Sequence, residues 1–229
     1  MARQVRSEAT RRKILDAAVE VFTEVGFAGA DRGAIIERTG MTKGAFYHHF
    51  DSMESLASAI IEDGAALVVA ELSTMSDSFS PALENILHGT FVTADLFATN
   101  KVVRTAEQLT LAFGKFNETA GAAYGAWIEA MTAQTSRAIT EGDMRSELDA
   151  KMVSEAIIGA TFGARMIGQA TTGGSDLDEP ERFLSDFEAM WAIILPGFVR
   201  PERIDYFSQF IKRRSKIAIG STSALAGST

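Results

Sequence analysis

The sequence predicts an all-α fold of about ten helices, with a small N-terminal head joined by a long fourth helix to a larger helical body. Three observations lead there. Apolar residues recur at helical spacing from Ser7 to about residue 217, and the alternation of a strand is absent. The interruptions are helix stops and starts: Gly26, Gly40, Asn100, Gly114, Gly142-Asp143, Thr172-Gly173-Gly174-Ser175 ahead of Pro180, and Pro196-Gly197 with Pro201. At 229 residues and 46% apolar content, the chain can bury a sizeable core as one or two domains.

The first helix runs from about Ser7 to Val25, with Ile14, Ala18, Val21, Phe22 and Val25 at helical spacing and Gly26 as its stop. Arg6, Arg11, Arg12 and Lys13 crowd its start, against the helix dipole, a small cost that an external anion would offset. Solvated charge and phosphate contact both account for that cluster. Residues 31–50 read as two short helices joined by a tight turn. Asp31 is positioned to cap the first, Gly40 to end it in a left-handed conformation, and Thr42 to cap the second. At 100° per residue, the second helix puts Lys43, Gly44, Tyr47 and His48 on one arc and Ala45, Phe46, His49 and Phe50 on the other. The first arc carries a cation, a glycine open to close approach, a phenol and an imidazole, which suit a nucleic-acid groove. A helical hairpin with an incidental exposed aromatic is the plainer alternative.

Asp51 and Glu54 predict a capping box for the fourth helix, which Leu56, Ile60, Ile61, Leu67, Val68 and Leu72 extend to about residue 73. After a polar stretch, Pro81 opens the body, whose helices are expected over 81–98, 101–113, 116–141, 149–171, 180–195 and 202–217. The domain reading is a head at 1–50 continuing into the linking helix, a body at 81–217, and a frayed tail at 218–229.

The net charge of −8 argues against a nucleic-acid partner until it is resolved by position. Residues 1–50 hold 8 Lys and Arg against 6 Asp and Glu, a net of +2, and the remainder holds 14 against 24, a net of −10. A local excess of cations is sufficient for phosphate binding, so charge permits a DNA-binding head on an acidic body. The chain has no cysteine, which excludes disulfides and thiolate metal sites and fits a reducing cytoplasm. No long apolar segment follows the N-terminal arginines, so neither a signal peptide nor a membrane span is expected.

Taken together, Ile14-Leu15-Asp16-Ala17-Ala18, Phe22, Gly26-Phe27, Ile35-Ile36, the run from Gly40 to Phe50, and Leu56 closely resemble the head of the tetracycline-repressor (TetR-type) family of bacterial transcription regulators. The match covers residues 7 to about 60. The resemblance implies an all-helical homodimer with an N-terminal helix-turn-helix and a C-terminal ligand-binding, dimerising domain. By position, it makes Thr42, Lys43, Gly44, Tyr47 and His48 the recognition-helix contacts to double-stranded DNA, with Arg32, Gly33 and the start of helix one, including Arg6, against the backbone. Two positions depart from it. Met53 stands where the family often has a phosphate-reaching lysine, and Asp31 stands where its cap is usually threonine.

The body's mid-helix aromatics include Phe91, Phe97, Phe113, Phe116, Tyr124, Trp127, Phe162 and Trp191, most of them expected in the core. Met1-Ala2-Arg3-Gln4, the Thr-Lys-Gly-Ala turn and Trp127 resemble the gamma-butyrolactone autoregulator receptor branch of the family, which implies Trp127 as a wall of an effector pocket. Phe91 and Phe162 are further candidates for that pocket. Thr161 is either a polar group orienting the effector or a hydroxyl bonded back to its own helix. Gly159 and Gly163 signal close helix packing, and the resemblance sets the dimer interface near 150–171 and 180–195.

No catalytic constellation, metal spacing or cofactor motif is found: His48, His49 and His88 have no ligand spacing, and neither a Gly-x-Ser-x-Gly elbow nor a phosphate-binding glycine loop occurs. The sequence therefore reads as a non-enzymatic, cytoplasmic, ligand-responsive repressor. A drug- or lipid-responsive repressor of an efflux or metabolic operon is the alternative within the class. A helical carrier or enzyme with a vestigial head is the alternative outside it.

Overall fold

Ten α-helices in chain order make up the described residues, which in this computed structural model are 2–76, 81–113, 118–172 and 180–226. They are α1 (Ala2–Gly29), α2 (Arg32–Thr39), α3 (Lys43–His49), α4 (Met53–Ser76), α5 (Ala82–Thr99), α6 (Lys101–Phe113), α7 (Glu118–Thr140), α8 (Ala150–Thr172), α9 (Pro180–Phe198) and α10 (Ile204–Ala226). A 3₁₀ turn, Pro201–Arg203, precedes α10. Among the described residues no helix is long and apolar enough to cross a membrane, and no group of His, Cys, Asp and Glu could hold a metal ion.

The chain forms two compact units, Met1–Val68 with Asn100–Tyr124, and Val69–Thr99 with Gly125–Thr229. The expected division gave the head residues 1–50, continuing into the linking helix to about 73, the body 81–217 and a tail 218–229. In the structure, Ala106 and Leu109 of α6 and Ala120 of α7 join the head's core. That core gathers Ile14, Leu15, Ala18 and Phe22 of α1, Ile35 of α2, Phe46 of α3 and Leu56, Ile60 and Ile61 of α4. Helical spacing marks α6 as amphipathic, but it cannot say which core the apolar face joins. At Gly64, where α4 packs on α6, an added Cβ would lie 2.3 Å from the Ala106 Cβ, so the close approach requires glycine.

The helix bounds lie within about three residues of those expected. The exceptions are α1, which runs from Ala2 to Gly29 where Ser7 to Val25 was expected, and the end of α10. Gly26 interrupts α1 at φ 70°, and Gly40 ends α2 at φ 64° with its N–H on the Glu37 carbonyl. Asp31 caps α2 by backbone conformation alone, since its carboxylate accepts no capping bond and instead lies over Gly33. The box that starts α4 is Ser52–Ser55, not Asp51–Glu54. Ser52 N–H donates to Ser55 Oγ at 3.2 Å and Ser55 N–H to Ser52 Oγ at 3.0 Å. Asp51 sits just outside, where a hydrogen bond with Ser55 holds its carboxyl below the usual range. Asn100 caps α6, its Oδ1 accepting from Val102 and Val103 N–H.

In the second unit, Leu83, Leu87 and Phe91 of α5 pack with Ala138 of α7, Ile157 of α8, Phe187, Trp191 and Leu195 of α9, and Phe207 and Ile211 of α10. Gly142, at φ 81°, ends α7 as expected, and Asp143 beyond it is buried against Arg203, whose Nε donates to its carboxylate at 2.7 Å. Pro196 does not stop α9, which carries it and runs to Phe198. A proline deprives the last turn of a single N–H donor, and Arg145 Nη2 donates to the Pro196 carbonyl at 2.9 Å. The backbone of α10 is helical to Ala226, where a frayed tail from 218 was expected. The Gly114 and Gly173–Ser175 breaks lie outside the described residues.

Candidate nucleic-acid interface and ligand cavity

The three buried anchors of the α2–α3 pair are Ile35 and Phe46, both 0% exposed, and Phe50. They fix which side of α3 looks out. Thr42 Oγ1 accepts from Ala45 N–H at 3.2 Å, satisfying one of the helix's free donors. Phe46 meets Phe50 at 6.2 Å and Tyr47 edge-on at 6.0 Å, and the Arg11 guanidinium lies 5.4 Å from the Phe50 ring. His49, partly buried on the inner arc, has its pKa lowered by burial first and then by His48 and Arg11, which disfavours its charged form.

The outward arc is the predicted one: Thr42, Lys43, Gly44, Tyr47 and His48 are all exposed. Lys43 has no carboxylate partner among the described residues. At Gly44 a Cβ would meet only Thr42 Oγ1, at 4.0 Å, so no packing within this unit demands glycine there. Arg32 does not point away as a free cation. Its Nη1 donates to the Tyr47 hydroxyl at 2.7 Å and its guanidinium lies 5.1 Å from the Tyr47 ring, while its Nε is buried without an acceptor among the described residues. At Gly33 an added Cβ would lie 2.5 Å from Asp31 Oδ2, so the Asp31 side chain occupies the space a larger residue would need. Arg6 is exposed on α1, its carbonyl accepting from the Thr10 hydroxyl. Met53 is partly buried against the head core, so packing explains an apolar residue at that position.

The second unit holds a cavity of about 280 Å³ between two helical stripes of i, i+3, i+4, i+7 spacing. On α5 these are Ile86, Gly89, Thr90 and Thr93, and on α7 they are Trp127, Ala130, Met131 and Gln134, with Leu72, Asn85 and Ala133 completing the lining. Trp127 lines this cavity. Phe162 stands behind it, edge-on at 5.2 Å, and Phe97 behind Phe162 at 5.8 Å. Phe91 belongs to the core, edge-on to Phe187 at 5.1 Å, and does not line this cavity. Thr161 takes the second of its two readings: its buried hydroxyl donates to the Ile157 carbonyl at 2.8 Å, on its own helix. Sequence reasoning missed Gln134, Asn85 and Gly89, although counting turns from Trp127 along α7 reaches Gln134 directly.

Residues 14–60 match the family described as bacterial regulatory proteins of the tetR family. The chain is 32% identical over 202 residues to the A-factor receptor protein of Streptomyces griseus, covering 88% of this chain and 68% of that one. It is similar to CprB from Streptomyces coelicolor, a TetR family protein solved in complex with its biological operator sequence. That similarity is a TM-score of 0.72 at 25% identity, over 92% of this chain and 98% of that one. A gamma-butyrolactone receptor described as ArpA-like shares the fold, with a TM-score of 0.73 at 23% identity over 92% and 98% of the two chains. The chain therefore belongs to the tetR family of bacterial regulatory proteins, as a ligand-responsive transcriptional regulator rather than an enzyme.

Proposed function

We propose that the protein is a cytoplasmic repressor that binds a palindromic operator as a homodimer and leaves it when a small, mostly apolar effector enters the cavity beside Trp127. The observation that carries the DNA half is the exposed row Thr42, Lys43, Gly44, Tyr47 and His48 on a helix locked from behind by Phe46 and Phe50. Lys43 donates to a guanine edge or a phosphate, Thr42 and Tyr47 donate to phosphate oxygens, and Gly44 admits the sugar-phosphate wall. Arg32, Gly33 and Arg6 flank the backbone. In a dimer the two recognition helices enter successive major grooves, roughly one helical turn apart.

Support for the dimer comes from α8 and α9. Met152 is 70% exposed, Met166 52% and Ile167 67% on α8, and Ile193 is 78% exposed on the neighbouring α9. Large apolar side chains left this open on two adjacent helices suit a partner helix pair. Gly159 and Gly163 lie along the same run, and a Cβ on either would meet nothing within 4 Å. The close helix packing expected of these glycines therefore has no partner for them among the described residues of this unit. A second copy supplies one.

The effector reading rests on the apolar lining at Trp127 and on similarity to the A-factor receptor protein and the gamma-butyrolactone receptor fold, which favour a gamma-butyrolactone or butenolide-type signal. Coupling follows the chain. Leu72 and Trp127 line the cavity on α4 and α7, and both helices continue into the first unit, to Met53 and Glu118. Effector binding shifts the population toward a dimer whose recognition helices no longer match the operator spacing. The test is in vitro selection of the preferred DNA, a salt titration of that binding, and a screen for small molecules that release it. A palindromic selected site, released by a butyrolactone, is expected. Binding without sequence preference at any salt contradicts the repressor reading.

A further inference from the structure

We propose that α10 carries an anion site, centred on Arg214 beside His88 of α5, that takes a phosphate ion or a phosphate monoester. The site lies within the second unit and is independent of the operator and effector readings. Charge first sets this stretch apart. Residues 51–229 have a net charge of −10, yet residues 206–229 hold four cations, Lys212, Arg213, Arg214 and Lys216, and no acid.

Burial then distinguishes Arg214 from the other three. Lys212, Arg213 and Lys216 are exposed, whereas Arg214 is partly buried. Its Nε is buried without an acceptor, and no carboxylate of the described residues pairs with it. Burial lowers its pKa, and no acid offsets the loss of water. A guanidinium drawn out of water is normally matched by a carboxylate, because desolvation without a counter-charge is costly. For Arg214 the counter-charge has to come from outside the described chain.

The surroundings add no negative charge in its place. Leu83 and Leu87 of α5 share a core with Phe207 and Ile211 of α10, so the two helices lie side by side. His88, on α5, has its pKa lowered to about 4 by burial and then by Arg214, which leaves it neutral at neutral pH. Glu84, one turn before His88, is engaged as the acceptor of the Tyr206 hydroxyl. At 100° per residue, Arg213 and Arg214 flank the edge of α10 that carries Tyr206 and Phe210, while Lys212 and Lys216 turn toward the other side. Two guanidiniums on one edge supply more than one positive charge and fork-shaped donors, which suit a doubly charged phosphate better than a single carboxylate.

The test follows thermal melting of the full-length protein in inorganic phosphate, glycerol phosphate, acetate and chloride at matched ionic strength, at about pH 8, where phosphate is mostly doubly charged. The wild type is expected to melt about 3–6 °C higher in about 10 mM phosphate than in chloride, the shift for a dissociation constant of about 1 mM. Acetate is expected to give less than half that rise. A rise with glycerol phosphate as well supports a site open to monoesters, and a rise with phosphate alone supports a site for the free ion. Arg214→Met keeps the apolar stem and removes the uncompensated cation. It is expected to melt about 1–3 °C above the wild type in chloride and to lose the phosphate response. Arg214→Gln is the second variant if circular dichroism shows the first to be unfolded. Equal melting of the wild type in phosphate and chloride, an equal rise in acetate, or a phosphate rise that survives the substitution overturns the site.

Discussion

The Tyr47 hydroxyl accepts a hydrogen bond from Arg32 Nη1 at 2.7 Å, with the guanidinium lying 5.1 Å from the ring, so α2 and α3 present a single charged unit. The hydroxyl keeps its own proton free for a phosphate oxygen, and the cation beside it strengthens that donor. Tyr47→Phe is expected to weaken operator binding about three- to tenfold, within the range for one hydrogen bond. Arg32→Ala should cost at least as much, and the double variant clearly less than the sum. A double-mutant cycle by fluorescence anisotropy checks this, and strict additivity would mean that the two residues act separately.

Gly44 separates stability from function. A Cβ there meets only Thr42 Oγ1 at 4.0 Å, and glycine inside a helix costs about 0.5–1 kcal/mol relative to alanine. Gly44→Ala should therefore stabilise the protein by up to about that amount in denaturant unfolding while weakening operator binding. Unchanged affinity would show that no DNA wall comes close to this position.

Space in the cavity is tested at Gly89 and Trp127. A Cβ at Gly89 would lie 3.1 Å from Leu72 Cδ2, so Gly89→Val must displace that side chain and fill part of the 280 Å³. Both Gly89→Val and Trp127→Ala are expected to raise the effector concentration needed for release by about tenfold or more, one by occupying the volume and the other by removing a wall. A normal dose response in both would move the effector site elsewhere.

His88 gives the fold a pH dependence. Burial, and then the neighbouring Arg214, lowers its pKa from 6.5 to about 4. The unfolded chain thus takes up this proton between pH 6.5 and 4 while the folded chain does not, so stability is full above 6.5 and falls as the pH drops toward 4. Thermal melts across that window should show a decline that His88→Gln makes shallower. An equal decline in the variant would assign the effect to other groups.

Most of the head was legible in the sequence because its signals are local. Gly40 must turn left-handed, Thr42 must cap, and 100° per residue separates Lys43 and Tyr47 from Phe46 and Phe50 without reference to anything distant. Choices between near-equivalent local partners were less legible: Ser52 and Ser55 form the box that Asp51 and Glu54 also spell. What depends on distant chain was not legible at all. Helical spacing could not assign Ala106 and Leu109 of α6 to the head's core, and it could not show that Arg32 is held by Tyr47 fifteen residues away. In the body, resemblance singled out Trp127, which lines the cavity, whereas Thr161 bonds its own helix and Phe91 lies in the core. A threonine in a helix bonds its own backbone as readily as a ligand, and a phenylalanine serves a core as readily as a pocket.

The central claim is that the exposed face of α3 reads DNA, and the affinity of Lys43→Ala for the selected operator tests it most directly. Measured by anisotropy at one fixed salt concentration beside the wild type, the variant is expected to bind about tenfold or more weakly, the worth of one good base or phosphate contact. Equal affinity, in a variant with an unchanged melting temperature, would contradict the account.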